Sequence, residues 1–326
     1  MRDDIKLINN FLNNNQISDF QLSKIAGDAS FRHYYRAILP DGKSLIIMSA
    51  PPEFEDIKPF HKIGQLLVQN NFSAPQIFAV DYENGLMLLE DFGDNSYSKT
   101  LAAASKSSLA KKEQELYKMA VDLLLNLQKI NPPSDLPIYD EKLLIRELML
   151  FIDWYLPYIA KKPATEIQIE EFKNLWLELF LPLAKSTNKI VLRDYHADNL
   201  MLLSGRDHYK NVGLLDFQDA VLGSPAYDLV SLLEDARRDV NKKLQEKMLS
   251  YYLDNFDCDK KSFLYDYGLL SLQRNIKIVG IFSRLAIRDQ KPQYLQLLPR
   301  VFNYMENRLK DDSFIKMKTF LSTFNS

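Results

Sequence analysis

Two apolar runs in the second half of the chain carry polar side chains whose types and spacing suit phosphoryl transfer. The first run, residues 191–203, contains Asp194 and Asn199, and the second, residues 212–219, contains Asp216. A carboxylate can accept the proton of an attacking hydroxyl, because phosphoryl transfer needs positioning and charge neutralisation more than covalent chemistry. An amide oxygen and a second carboxylate are ligands that suit Mg²⁺. We therefore interpret Asp194 as a base, and Asn199 with Asp216 as a magnesium site beside a nucleotide phosphate.

Each of these residues also has an ordinary structural interpretation. A single Asp or Asn in a turn most often caps a helix or forms an Asx-turn. The ordered set, lying between apolar strands, is more specific than any of its members and favours a kinase-type site. His196, inside the same stretch, is expected to support the loop by hydrogen bonding.

The elements that must position this set begin with a small, mainly antiparallel sheet. A helical pattern covers residues 3–14, and Asp41-Gly42 and Glu83-Asn84-Gly85 are hairpin signals between apolar runs. Strands are predicted at 20–25, 34–39, 44–49, 77–80 and 86–89, with one inserted helix at 60–70.

The turn between the first two predicted strands is unusually polar and contains one glycine with small neighbours. Taken alone, such a segment is usually only a turn. In kinases a turn of this kind folds over the nucleotide phosphates, because small residues let backbone N–H groups approach closely. Under that interpretation the candidate nucleotide contacts are Gly27, Asp28, Ala29, Ser30, Phe31 and Arg32.

The composition shifts at residues 90–95, and a helical pattern dominates from residue 96 onward, interrupted by two short strands between 190 and 219. The sequence therefore predicts an α+β, two-lobed protein-kinase-like fold, with lobes at 1–89 and 96–326. Residues 90–95 would be the hinge, where Glu90 and Asp91 contact the adenine edge mainly through their backbone. The literal Asp91-Phe92-Gly93 is then a decoy, since it precedes the candidate catalytic loop.

The bulk composition excludes several other classes. The net charge of −2 gives no indication of a nucleic-acid or anionic-membrane partner. Cys258 is the single cysteine, which excludes an intrachain disulfide and a cysteine-rich zinc site. The charged N-terminus lacks a signal-peptide core, and no stretch approaches 18 apolar residues. We expect a cytoplasmic protein that binds a small molecule.

Six segments spread over nearly the whole chain form a recognisable set: GDASFRHYYR at 27–36, MSAPPE at 48–53, LRDYHADNL at 192–200, GLLDFQDA at 213–220, YDLVSLLEDARRDV at 227–240 and QRNIK at 273–277. In this set the chain resembles the aminoglycoside phosphotransferase and choline kinase superfamily, whose fold is similar to that of protein kinases. Within it, the chain resembles most the bacterial kinases that phosphorylate N-acetylmuramate and N-acetylglucosamine at the anomeric carbon.

The resemblance implies a role for each matching residue. Asp194 is the catalytic base, Asn199 and Asp216 bind Mg²⁺, and residues 27–32 cover the phosphates of ATP. Asp228 braces the catalytic loop from the following helix. One position departs from the pattern. Met48, on the third strand, stands where most kinases have a phosphate-binding lysine. Either Arg32 or another cation supplies the charge of that lysine, or phosphate binding is weaker.

The leading hypothesis is therefore an ATP- and Mg²⁺-dependent anomeric sugar kinase of peptidoglycan recycling. Polar and aromatic side chains of the helical half are the candidates for facing the sugar, and they are Arg146, Glu147, Trp154, Arg274 and Asn275. The alternatives are a kinase for an aminoglycoside or an amino alcohol, and a nucleotide-binding pseudokinase. The missing lysine is the only support for the last of these.

Overall fold

The computed structural model describes residues 4–25 and 31–324, which divide into two compact units. The first unit, called unit 1, consists of Met1–Leu109 together with Ala197–Asp219. The second, called unit 2, consists of Ala110–His196 together with Ala220–Ser326. Within the described ranges no helix is long and apolar enough to cross a membrane.

Unit 1 is built on an antiparallel sheet with the strand order β1-β2-β3-β5-β4. Its strands are β1 (Gln21–Ile25), β2 (His33–Ile38), β3 (Ser44–Ser49), β4 (Ile77–Asp81) and β5 (Leu86–Glu90). Side chains alternate between the two faces of a strand, and one face packs against helix α1 (Asp4–Asn14). That core contains Ile8, Leu12, Tyr35, Ala37, Ile47 and Leu88.

The opposite face of the sheet carries Tyr34, Met48 and Met87, which lie side by side across β2, β3 and β5. Helix α2 (Lys58–Gln69) buries Phe60, Ile63 and Leu67. Helix α3 (Tyr97–Ala102) is capped at its N-terminus by Ser96, whose side chain accepts a hydrogen bond from the Lys99 N–H.

Unit 2 is mainly helical. Its α-helices are α4 (Leu109–Leu127, which begins at the last residue of unit 1), α5 (Glu141–Leu150), α6 (Glu166–Phe180), α7 (Ala226–Leu233), α8 (Lys242–Asn255), α9 (Lys260–Ile287), α10 (Leu298–Arg308) and α11 (Ile315–Ser322). Short 3₁₀ turns lie at Leu183–Lys185, Pro292–Leu297 and Asp312–Phe314.

The 28-residue helix α9 contributes more buried residues than any other described helix of unit 2 and packs directly on α5. A π-helix, Phe151–Ile159, continues α5 and includes Pro157, which lacks an N–H donor. At Gly280 of α9 a Cβ atom would lie 2.3 Å from the carbonyl carbon of Leu150. The glycine therefore permits backbone-to-backbone contact at the junction of α5 with the π-helix.

The predicted α+β architecture is confirmed, but the region between 190 and 219 holds more than the two short strands expected there. Three short strands lie in or at the edge of this region, β6 (Lys189–Val191), β7 (Leu200–Leu202) and β8 (Val212–Leu214), and a fourth, β9 (Val221–Gly223), follows it. β6 pairs with β9 in unit 2, and β7 pairs with β8 in unit 1; a 3₁₀ turn, His208–Asn211, precedes β8. Three-residue strands show too little alternation to be separated from their loops by sequence pattern alone.

Candidate active site

Asn199 and Asp216 lie at the same end of the β7–β8 pair in unit 1. Leu200 pairs with Leu214 in the antiparallel register, so the residues before Leu200 and after Leu214 must emerge together. The Leu215 N–H donates to the Asn199 carbonyl over 3.0 Å, and the Asn199 Nδ2 lies 3.4 Å from the Asp216 Oδ2. The structure therefore brings together the two residues predicted to hold the metal.

The Asp216 carboxylate is fixed by its neighbours along the chain. Its backbone adopts φ +56°, in the left-handed region that aspartate tolerates better than most residues. Gln218 Nε2 donates to the Asp216 Oδ1 over 3.0 Å. Between them, Phe217 is buried against Phe60 of α2, with ring centroids 4.8 Å apart. The buried ring of Phe217 fixes the backbone after Asp216, and the Gln218 amide orients the carboxylate.

The donor set at this position fits magnesium better than a transition metal. In the part of the chain that the structure describes, no group of three or more His, Cys, Asp or Glu side chains is placed to hold a metal ion. Mg²⁺ usually takes one or two protein carboxylates and completes its octahedron with phosphate oxygens and water. Asn199 and Asp216 supply one amide oxygen and one carboxylate, which is consistent with that pattern.

In unit 2, Asp228 of α7 holds the start of the loop formed by residues 192–199, here called the catalytic loop. Its Oδ2 accepts from the Leu192 N–H at 2.7 Å, and its Oδ1 accepts from the Arg193 N–H at 2.8 Å. The residue is fully buried, and burial raises its pKa to about 7 against the opposing effect of the two N–H groups. Asp228 therefore makes the contact with the catalytic loop that the family resemblance implies.

Asp194 follows in the catalytic loop, after Arg193 has adopted φ +71°. Burial disfavours the ionised carboxylate, but the positive charges of Lys277 and Arg193 oppose this effect, and the pKa of Asp194 is lowered. A carboxyl group with a lowered pKa is ionised at neutral pH. Asp194 is therefore in the protonation state that a proton acceptor or an orienting group requires.

Glu147, one of the sugar-facing candidates, lies at the centre of an ion cluster next to the catalytic loop. It is 7% exposed, pairs with Arg193, and lies 2.9 Å from the Lys277 Nζ. The Tyr139 hydroxyl donates to its second oxygen over 2.5 Å. Burial raises the pKa of Glu147, but Lys277 and Arg193 reverse the effect and lower it. The carboxylate thus stays ionised and ties Arg193 of the catalytic loop to α9.

Of this cluster, only Glu147 is among the site residues predicted from the sequence; Arg193, Tyr139 and Lys277 are additions from the structure. Tyr139 lies before α5 and has no periodic partner, so the sequence held no signal for it. Lys277 lies three residues after the candidate Arg274 on α9, and this helical spacing was an available signal. Burial lowers the pKa of Lys277, but Tyr227 and Glu147 outweigh it and raise the pKa, which keeps the side chain cationic.

The other sugar-facing candidates occupy different environments. Arg146 is exposed, and Trp154 is half-buried with its ring 5.6 Å from that of Tyr158. Arg274 is buried and donates to the Ser231 hydroxyl over 2.8 Å. Asn275 has no exposed surface and donates to Glu234 over 3.0 Å.

His196 is buried, and its Nε2 lies 3.4 Å from a guanidinium nitrogen of Arg237.

The predicted nucleotide contacts are only partly described. Gly27, Asp28, Ala29 and Ser30 lie outside the described residues. Phe31 is 60% exposed and stacks on Phe54 with ring centroids 4.8 Å apart. Arg32 pairs with Glu55 at 2.6 Å and lies 3.6 Å from the Asp216 Oδ1.

The acidic side chains of the predicted hinge take part in ion pairs within unit 1. Glu90 pairs with Arg206, and Asp91 pairs with Arg36, each at 2.6 Å. Asp91 also accepts from the Gly93 N–H over 2.8 Å. The Glu90 N–H donates to the Gln76 carbonyl over 2.8 Å, and the adenine contact of the hinge backbone stays a prediction.

Comparison with known proteins gives concordant results. Residues 21–263 match the family described as "Phosphotransferase enzyme family". An N-acetylmuramate/N-acetylglucosamine kinase of Pseudomonas aeruginosa is 36% identical over 89% of this chain and 84% of its own length. A kinase of the same name from Neisseria meningitidis serogroup B is 33% identical over 88% of this chain and 85% of its own.

Two solved structures show the same fold at low sequence identity. A choline kinase from Streptococcus pneumoniae superposes with a TM-score of 0.66 at 13% identity, covering 94% of this chain and 100% of that one. An aminoglycoside phosphotransferase in a ternary complex with streptomycin and ATP superposes with a TM-score of 0.60 at 14% identity, covering 96% and 98%.

Proposed function

The chain belongs to the phosphotransferase enzyme family, and from this premise we propose that it transfers the γ-phosphoryl group of ATP to the anomeric hydroxyl of N-acetylmuramate or N-acetylglucosamine. The product is a sugar 1-phosphate. The observation that carries the choice of acceptor is the identity of 31–36% to relatives named N-acetylmuramate/N-acetylglucosamine kinase, over 87–96% of this chain.

The catalytic loop supports a base at Asp194. The Asp228 contacts fix the backbone just before it, and the neighbouring cations keep its carboxylate ionised. In the proposed reaction Asp194 orients the sugar hydroxyl and takes its proton as the oxygen attacks phosphorus. Holding the two reactants in line accounts for a large part of catalysis in phosphoryl transfer.

Asn199 and Asp216 would hold Mg²⁺, whose charge, when the ion is bound, offsets the negative charge of the transferring phosphate. The amide and carboxylate are already within 3.4 Å of each other. We assign the polar turn, residues 27–32, to covering the phosphates, and the backbone of residues 90–95 to the adenine edge. Residues 1–89 and 96–326 are then the two lobes on either side of this hinge.

That the sugar is bound by side chains of the helical half stays a prediction. The residues concerned are Arg146, Glu147, Trp154, Arg274 and Asn275. The contacts of Glu147 support a positioning role, because it binds Arg193 and Lys277 rather than open solvent. We place the reaction in cytoplasmic recycling of peptidoglycan sugars, in which a kinase supplies the sugar 1-phosphate.

The test is direct transfer by the purified protein. Mg-ATP is incubated separately with N-acetylmuramate, N-acetylglucosamine, choline and kanamycin, and products are followed by phosphorus NMR. The proposal predicts a sugar 1-phosphate signal with at least one of the two amino sugars. Transfer only to choline or kanamycin assigns the enzyme to another acceptor. ATP binding without transfer to any compound indicates a pseudokinase.

A further inference from the structure

The third strand of the sheet lacks the cation that most kinases place there. Met48 is fully buried on β3 and lies between Tyr34 of β2 and Met87 of β5. These three side chains face away from α1, since their neighbours Tyr35 and Ile47 belong to the core against that helix. A thioether at this position offers no positive charge to a polyphosphate, so the charge must come from another residue.

Arg32 is placed to supply that charge. It lies one residue before β2, and its guanidinium hydrogen-bonds the side chain of Tyr34, the residue that pairs with Met48 across β2 and β3. Its side chain is only 11% exposed, and its guanidinium lies 3.6 Å from the Asp216 Oδ1. The phosphates of a bound nucleotide would lie beside Asp216, the residue assigned to the metal. The Arg32 guanidinium is therefore close to the position that these phosphates would occupy.

Glu55 fixes the orientation of that guanidinium. It pairs with the Nε edge of Arg32 over 2.6 Å, while the Nη1 atom is the one nearest Asp216. The segment around Glu55 is tied to the segment around Arg32 a second time, because Phe54 stacks on Phe31 with ring centroids 4.8 Å apart. The ion pair and the ring stack together hold the arginine in one position.

We propose that Arg32 is the cation that binds the β- and γ-phosphates of ATP, and that Glu55 is the positioning residue that aims it. In protein kinases a lysine on the third strand binds the phosphates and pairs with a glutamate. Arg32 and Glu55 would do the work of that pair, although they occupy other positions in the chain. The inference rests on the proposed function, since it requires that the protein binds ATP. A guanidinium presents a planar set of donors and binds phosphate oxygens in pairs, so an arginine is chemically suited to the task.

The experiment measures how affinity depends on the number of phosphates. Isothermal titration calorimetry of adenosine, ADP and ATP is carried out with the wild type, Arg32→Met and Glu55→Gln, without sugar. Lys43→Met is the matched control, because Lys43 is a cation of unit 1 whose side chain is 80% exposed.

Arg32→Met should lower affinity for ATP and ADP by about 10- to 100-fold, and leave adenosine affinity within about twofold of the wild type. Glu55→Gln should give a smaller loss in the same direction, and in separate steady-state assays with sugar it should raise the KM for ATP more than it lowers kcat. Arg32→Lys should recover part of the ATP affinity. Lys43→Met should match the wild type for all three ligands.

Two results overturn the inference. One is an Arg32→Met protein that binds ATP as tightly as the wild type. The other is an equal loss for adenosine and ATP, which assigns Arg32 a purely structural role. If Arg32→Met does not fold, the same comparison of ATP affinity with adenosine affinity is made for Glu55→Gln and Arg32→Lys, and it tests the inference in the same way. Failure of the wild type itself to bind ATP refutes the proposed function instead, so the two failures are distinct.

Discussion

The strongest structural prediction concerns Asp228, whose carboxylate accepts both N–H groups at the start of the catalytic loop. Asp228→Ala leaves the buried Leu192 and Arg193 N–H groups without that acceptor. An unsatisfied buried donor costs about 1–3 kcal/mol, so the two together cost about 2–6 kcal/mol. Domains of this kind have a free energy of unfolding of about 5–15 kcal/mol, which makes this a large fraction. Asp228→Asn keeps one acceptor oxygen and should lose about half as much.

Guanidinium denaturation followed by tryptophan fluorescence measures this loss well, because both tryptophans of the chain, Trp154 and Trp176, lie in unit 2. Asp254→Asn is the control, since its side chain is 61% exposed and its ion pair with Lys260 contributes at most about 1 kcal/mol. Asp228→Ala should also lower kcat, because the loop that carries Asp194 loses its brace. An unfolding free energy within about 0.5 kcal/mol of wild type refutes the reasoning.

The pKa of Asp228 adds a pH signature to the same measurement. Its folded value, about 7, is above the ordinary value of 3.8, so the folded state binds the proton more tightly. The corresponding stability is present below about pH 4 and is lost as the pH rises through 7. Wild type should therefore lose up to about 1.4 kcal/mol of stability per pH unit in this window from Asp228. Asp228→Asn should remove that component of the slope, and an unchanged slope in the variant contradicts it.

Three further predictions follow from unit 2. Lys277→Met should raise the pKa of Asp194 and so move the acid limb of the pH profile of kcat/KM to higher pH. Lys277→Arg keeps the positive charge and should move it less. Identical profiles for the wild type and both variants would show that the charge of Lys277 does not lower the pKa of Asp194. Glu147→Gln should lower kcat about 10- to 100-fold with a smaller change in the KM for ATP, because Arg193 loses its ionic partner; steady-state kinetics at saturating sugar test this, and unchanged kcat excludes the positioning role. Gly280→Ala should destabilise the protein by about 1–3 kcal/mol in denaturation experiments, since the new Cβ would meet backbone; wild-type stability would show that the helices can separate at no cost.

Much of the sheet and part of the site were accessible from the sequence. Alternating apolar residues and two glycine turns predicted the strands of unit 1, and the positions of Asn199 and Asp216 at the edges of two apolar runs predicted that both belong to one site. The contact between Asp228 and the catalytic loop followed from the family resemblance. These features depend on local pattern or on a motif of fixed spacing, which is why a single sequence contains them.

The ion pairs that support the site, Glu147 with Lys277 and Arg32 with Glu55, could not be predicted from the sequence. Glu147 and Lys277 are 130 residues apart, and their contact depends on how α5 packs on α9. The pairing of Arg32 with Glu55 depends on the path of a loop without periodic structure. The split of residues 190–223 into four strands was also missed, because three-residue strands pair through tertiary contacts rather than through propensity.

The central claim is that Asp194 acts on the hydroxyl that receives the phosphoryl group. It is tested most directly by comparing Asp194→Ala with wild type in two measurements: sugar 1-phosphate formation from N-acetylmuramate with Mg-ATP, and ATP affinity by calorimetry. The account predicts that kcat falls by several orders of magnitude, of which loss of a positioned base supplies about 10²- to 10⁴-fold, while ATP affinity stays close to that of the wild type. Unchanged turnover in Asp194→Ala would contradict it.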